Sequence, residues 1–214
     1  MSARRTKSNG RPRKYDASGR REQARRQHAA TLEVARQQFT RKGYAATTVE
    51  AIAADAGVSP ATVYKTYGGK AGLVRELARR ALLGEGPVAA ATRSDALRGE
   101  DVQAVVEGWG HLTAEVSPRV SPLALLLSAA AHSDAEAAAL HAELEEARLD
   151  RMAENARFLA EGGHLRTGIT ALEARDVLWW CSSPEFYNLM VVRRRWTAER
   201  FGRLVTDTIV GSLL

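Results

Sequence analysis

The chain has 214 residues, enough for one large domain or two small ones, and its 45% hydrophobic and 26% charged content is that of a folded globular protein. No apolar run approaches the roughly 20 residues of a membrane-spanning helix, and the N-terminal MSARRTKSNGRPRK lacks the apolar stretch of a secretory signal. The single cysteine, Cys181, excludes an internal disulfide framework and suits a reducing compartment, so a soluble cytoplasmic protein is expected.

The net charge of +6 is unevenly placed. Residues 1–80 hold 18 Lys/Arg and 6 Asp/Glu, whereas residues 81–214 hold 13 and 19. A chain basic in one third and mildly acidic elsewhere points to two tasks, with a polyanion partner at the basic end. Charge alone also fits a solvated basic tail.

Residues 1–20 contain one large apolar side chain, Tyr15, and read as a flexible basic arm. From Arg21 the pattern turns helical: Ala24, His28, Leu32, Ala35 and Phe39 recur at spacings of three and four, and Gly43 stops the helix. A second helix opens at Thr47 or Thr48, where Thr47 with Glu50 fits a capping box and Val49, Ile52, Ala53 and Ala56 supply an inward face. Gly57 ends it. Ser59 caps a third short helix with Pro60 at its first position. Gly68-Gly69 breaks that helix, and a fourth runs from about Lys70 to Leu83 before the breaker Gly84-Glu85-Gly86-Pro87.

The remainder also reads helical. Val102, Val105/Val106, Trp109, Leu112/Thr113 and Val116 form a stripe; Ser117-Pro118 and Ser121-Pro122 bracket a turn before an Ala/Leu-rich helix to about His132. A long helix spans about Asp134–Glu161, another Thr170–Cys181, and Ser182-Ser183-Pro184 opens a further one to Arg194. The last, about Thr197–Leu213, places Phe201, Leu204/Val205, Thr208/Ile209 and Leu213 on one side. The expected fold is all-α.

The stretch Thr47–Lys70, TTVEAIAADAGVSPATVYKTYGGK, carries the functional signal. Two short helices joined by a Gly-containing turn make a helix-turn-helix. Ile52 and Val63 face inward and fix the interhelical angle, leaving the third helix proud of the core and narrow enough for a major groove about 12 Å wide. Thr47, Thr48, Thr62, Tyr64, Lys65, Thr66 and Lys70 offer hydroxyl or ammonium donors of the kind that bind phosphate. In the arm, Gly10-Arg11-Pro12-Arg13-Lys14 is similar to the core of an AT-hook, whose arginines lie along a narrow A·T minor groove; non-specific phosphate attraction is the competing reading.

Residues 21–83 resemble the DNA-binding domain of the tetracycline-repressor (TetR) family of bacterial regulators, on Phe39, Gly43, Tyr44, Thr47-Thr48, Ile52-Ala53, Ala56-Gly57-Val58-Ser59, Thr62-Val63-Tyr64, Tyr67 and Lys70. The segment Ala174–Trp196 with the amphipathic last helix resembles the family's terminal dimerisation pair more loosely. The resemblance implies a homodimer reading a palindromic operator in double-stranded DNA, and a C-terminal domain with a small-molecule pocket. It implies that Pro60, Ala61 and Tyr64 face base edges, with Thr48, Thr62, Lys65, Thr66 and Lys70 at phosphates. Glu50 departs from the pattern, since an acid cannot serve a phosphate contact. The expected organisation is a helix-turn-helix N-terminal domain over 21–68, a connecting helix over 69–83, and a helical ligand-binding and dimerisation domain over 84–214.

DNA contacts are thus expected from Thr47, Thr48, Ser59, Pro60, Ala61, Thr62, Tyr64, Lys65, Thr66 and Lys70, with Arg11 and Arg13 of the arm. A largely apolar effector is expected to meet Trp109, Met152, Trp179, Tyr187 and Met190, with His111 and Thr113 orienting a polar group. The dimer interface is expected on Phe201, Leu204, Val205, Thr208 and Ile209. The five histidines show no metal-ligand spacing, Cys181 reads as core, and no catalytic motif occurs, so no metal, cofactor or enzymatic activity is expected. The competing function is a DNA-binding architectural or partner-controlled factor without an effector.

Overall fold

The computed structural model describes residues 17–84 and 86–214. Among them every regular element is helical: α1 (Ala17–Lys42), α2 (Val49–Ala56), α3 (Pro60–Tyr67), α4 (Lys70–Ala81), α5 (Ala90–Ala96), a 3-10 turn (Leu97–Gly99), α6 (Val102–Ala130), α7 (Ala135–Glu161), α8 (Ala171–Cys181), α9 (Pro184–Tyr187) continued by a π turn (Asn188–Arg193), and α10 (Ala198–Leu213). Helix α1 starts four residues ahead of the expected Arg21, and Ala24 on its early face is exposed.

Local chemistry sets the boundaries. Gly57 closes α2 in the left-handed region (φ 67°), a conformation open to glycine at little steric cost. Asp134, Thr170 and Thr197 cap α7, α8 and α10, and Thr170 forms a reciprocal capping box with Glu173. The expected turn at Ser117-Pro118 and Ser121-Pro122 is corrected, because α6 runs unbroken through both prolines. A proline inside a helix costs about 3 kcal/mol. Both rings are exposed, while Ser117, Ser121, Leu123 and Leu127 on the same turns are buried, so packing of that face holds the helix together. The expected helix to Arg194 is corrected too: only one α turn follows Pro184, and its continuation widens into the π turn, closed by the Arg194 N–H donating to the Leu189 carbonyl at 3.1 Å.

Two cores result. The first joins Leu32, Ala35 and Phe39 of α1, Ile52 and Ala53 of α2, Val63 of α3, and Leu73 and Val74 of α4 to Leu123 and Leu127 of α6 and Ala137 and Leu140 of α7. The tip of the α6–α7 hairpin is therefore built into the N-terminal core. The second gathers Val105, Val106 and Trp109 of α6, Ala156 and Leu159 of α7, Leu178 and Cys181 of α8, Tyr187, and Phe201, Val205, Ile209 and Leu213 of α10. Helices α6 and α10 run antiparallel and nearly touch at Gly110 and Gly202; a Cβ on Gly110 would lie 2.7 Å from the Gly202 carbonyl oxygen.

Arg75 of α4 adds a polar strap, bonding both oxygens of Glu143 on α7 at 2.9 and 2.7 Å.

Candidate nucleic-acid interface

Helix α2 is tied down from two directions. Ile52 and Ala53 are fully buried, and α1 reaches across with Gln38 Nε2 on Asp55 Oδ2 (2.7 Å) and Gln27 Nε2 on the Ala56 carbonyl (2.8 Å). Its cap is Thr48, whose Oγ1 accepts from the Ala51 N–H at 3.1 Å, so the expected Thr47–Glu50 capping box is corrected. Thr47 is fully buried and its hydroxyl donates to the Gly43 carbonyl at 2.7 Å. A hydroxyl engaged there has no path to phosphate, which corrects Thr47 as a DNA contact.

After the Gly57 turn, Ser59 Oγ caps α3 by accepting from the Thr62 N–H at 3.1 Å, and Pro60 fills the first helical position. Val63 alone on this helix is fully buried, and Tyr67 is half-buried with its hydroxyl donating to the His28 carbonyl at 3.3 Å. Pro60, Ala61, Thr62, Tyr64, Lys65 and Thr66 are all exposed, Tyr64 by 50%. The helix thus stands on one valine and one tyrosine and offers a continuous outer face of hydroxyls, a phenol and an ammonium. Thr48, at the start of α2, is exposed as well.

Lys70 is placed differently from the rest. Its Nζ donates to the Tyr44 carbonyl at 3.2 Å, lies 4.3 Å from the Tyr44 ring centre, and is 3.9 Å from Asp134 Oδ2. A phosphate contact by Lys70 would compete with all three, which sets it apart from Lys65. Asp134, the cap of α7 and 64 positions away, is brought beside this lysine by tertiary packing alone. Arg11 and Arg13 lie outside the described residues.

This geometry has relatives. The chain matches the family model for bacterial regulatory proteins of the tetR family over residues 32–77, the span from mid-α1 through most of α4. Over residues 32–77 the N-terminal head is similar to that family. The tetR-type head sits on a body whose whole fold is also shared. NalD of Pseudomonas aeruginosa, described as the secondary repressor of the MexAB-OprM multidrug efflux pump, superposes with a TM-score of 0.71 at 17% identity, over 90% of this chain and 98% of its own. The fatty acid degradation regulator FadR of Bacillus halodurans gives 0.68 at 16% identity, over 86% and 95%. A triclosan complex of SmeT gives 0.68 at 22% identity, over 88% and 92%. No curated protein sequence matches the chain. The chain has the fold of a tetR-family transcriptional regulator.

Beyond the tetR-type head, the expected site residues scatter. Trp109 and Tyr187 are buried in the second core, with Met152 and Met190 packed at its margin. His111 is exposed, Thr113 donates its hydroxyl to the Trp109 carbonyl at 2.8 Å, and Trp179 is 36% exposed beneath the Arg148 guanidinium. None of these seven residues lines either of the two hollows described next. The best-formed hollows lie elsewhere: one of 240 Å³ at His28, Tyr67 and Arg75, and one of 360 Å³ between α5 and α7. The second is rimmed by alternating Arg and Glu, a pattern that in a sequence reads as a solvated helix face.

Three of the five expected dimer residues are already committed to the chain's own core. Phe201, Val205 and Ile209 are at most 2% exposed within a single chain, facing α6, while Leu204 and Thr208 are half-buried. An amphipathic stripe reports burial but not against which partner. Exposed apolar side chains instead cluster along 172–192, at Leu172, Trp179, Trp180, Leu189 and Val192.

Cys181 is buried, and desolvation pushes its thiol up to about 12, which keeps it protonated and unreactive. Among the described residues no three His, Cys, Asp or Glu side chains gather to hold a metal, and no helix is long and apolar enough to cross a membrane.

Proposed function

We propose that the chain is a one-component transcriptional repressor that binds a palindromic operator as a homodimer and is released by a small-molecule effector. The observation that supports it most directly is the outer face of α3, six exposed residues held out from the core by Val63. In this reading Pro60, Ala61 and Tyr64 meet base edges, and Ser59, Thr48, Thr62, Lys65 and Thr66 hold the backbone. Arg11 and Arg13 add phosphate or minor-groove contacts.

The second copy docks on the exposed apolar run from Leu172 to Val192, beside α10. Five large apolar side chains left in water on one segment, next to the terminal helix pair, favour self-association there. The head at 21–68, the connecting helix at 69–83 and the body at 84–214 then divide reading, coupling and sensing. The α6–α7 tip, packed into the head's core, supplies the mechanical link. Coupling of this kind is reciprocal, so effector and operator weaken each other. The protein works in the cytoplasm, at the nucleoid.

The test is selection from a random duplex library by the full chain at 150 mM salt. Enrichment of an inverted repeat with half-site centres about 34–36 Å apart supports the proposal. Enrichment of A·T-rich DNA without a repeat would overturn it and favour an architectural role for the basic arm.

A further inference from the structure

The 360 Å³ cavity between α5 and α7 is lined by Asp95, Arg98, Glu154, Arg157, Phe158 and Glu161. Its charges are unequally engaged. Arg151 bonds Asp95 at 2.8 Å and Glu154 at 2.9 Å, and Arg98 reaches Asp95 at 3.0 Å. Two of the three acids are therefore neutralised from within the wall. On the donor side, Arg98 Nε is buried with no acceptor while its Nη2 serves Asp95 and, at 3.4 Å, Asn155, and Arg157 is exposed.

A second orphan lies one ring away. Trp109, 5% exposed, has its Nε1–H buried without an acceptor, and its ring packs edge-on to Phe158 with centroids 6.2 Å apart. The Arg98 guanidinium lies 5.7 Å from the other neighbour of this arrangement, the same Phe158 ring. Buried donors are nearly always paired in folded proteins, so each exception calls for an explanation. Here two such donors flank one half-buried aromatic ring that borders a half-open, largely polar hollow of 360 Å³.

We propose that this cavity is the mouth of the effector site, and that its ligand is an organic carboxylate with a compact apolar body. The inference rests on the effector-responsive reading above and supplies its site and ligand class. The carboxylate accepts from Arg98 Nε and from Arg157. The apolar body takes the place of the Phe158 ring against Trp109, Leu97 and Met152, the apolar neighbours in the second core. A cationic ligand finds Glu161 as its one acid outside the ion pairs of the wall. Helix α7 carries the signal. Phe158 sits 15 residues along it from Glu143, about 22 Å at 1.5 Å per residue, and Glu143 holds Arg75 of α4.

Calorimetry on the full chain with octanoate, 1-octanol and octylamine tests the ligand class. Octanoate is expected to bind at least tenfold more tightly than either of the others. Arg98→Gln and Arg157→Gln are each expected to reduce octanoate to the affinity of octanol while leaving octanol binding and the helical circular dichroism unchanged. Equal binding of the three compounds, no octanoate binding at millimolar concentration, or octanoate binding indifferent to both arginines would overturn the proposal. Operator release is read separately. Arginine-dependent octanoate binding without release keeps the site and removes the effector reading, whereas release by octanoate in Arg98→Gln/Arg157→Gln keeps that reading and removes the site.

Discussion

Leu127 is fully buried, lies on the body helix α6, and belongs to the same core as Phe39, Ile52, Leu73 and Val74 of the head. Leu127→Ala therefore damages the head from a position outside it. A buried leucine cut to alanine costs about 2–5 kcal/mol, through lost transfer energy and a residual cavity. A fully enclosed site shared by several helices belongs in the middle of that range, about 3 kcal/mol. For a chain of this length each kcal/mol moves the melting temperature by about 2–4 °C, so a fall of about 6–12 °C is expected. Leu159→Ala, also fully buried but in the second core, serves as the matched control. Circular dichroism melting reads the global loss, and native-state hydrogen exchange reads where it falls. The account expects Leu127→Ala to expose amides around Ile52 and Val63, and Leu159→Ala to expose those around Val105 and Ile209. If Leu127→Ala leaves the head amides as protected as in the parent, head and hairpin tip are not one cooperative core, and the mechanical link fails with it.

Four further outcomes are expected. Gly57→Ala places a Cβ at φ 67° and should destabilise by about 1 kcal/mol in urea unfolding; a neutral result would mean the turn relaxes freely. Leu189→Lys with Val192→Lys should yield monomers by sedimentation with unchanged melting, while Phe201→Ala should lower melting in the manner of a core cavity; the reverse pattern would return the interface to the Phe201 face. Lys65→Ala should weaken binding equally across DNA sequences and lower the salt slope by about 1, whereas a sequence-dependent loss would make it a base contact. Glu76 is held down to about 2, chiefly by its hydrogen bond to Arg79, which outweighs the upward push of burial, with Arg80 adding to the lowering and His28 Nε2 facing it at 3.6 Å from α1. Its folded value lies below the unfolded one, so its stabilisation is complete above about pH 4.5 and fades as pH falls toward 2. Glu76→Gln should flatten that acid limb in a pH series of melts, and an unchanged limb would assign it to other carboxylates.

Local chemistry carried the head. Gly57, Ser59-Pro60, and the inward pair Ile52 and Val63 each have a short-range physical reason, and the structure uses all of them as expected. Thr47 and Thr48 were not separable that way, since both could cap and only tertiary packing decides which one is buried. The prolines of α6 misled for the same reason: local cost argued for a turn, and burial of Leu123 and Leu127 on one continuous face overrode it. The dimer face and the α5–α7 cavity were the least legible. Phe201 and Val205 announce burial without naming a partner, and Arg98, Arg157 and Phe158 acquire meaning only when α5 and α7 are brought together.

The most direct measurement is a binding titration of the full chain on its selected inverted repeat and on the same duplex with one half-site scrambled, both at 150 mM salt. The account predicts two protomers on the intact repeat, and a loss of at least a hundredfold when one half is destroyed. Each specific base contact is worth about 1–3 kcal/mol, and several vanish together. Equal affinity for the two duplexes would contradict it, because a protein held by its charge alone does not distinguish them.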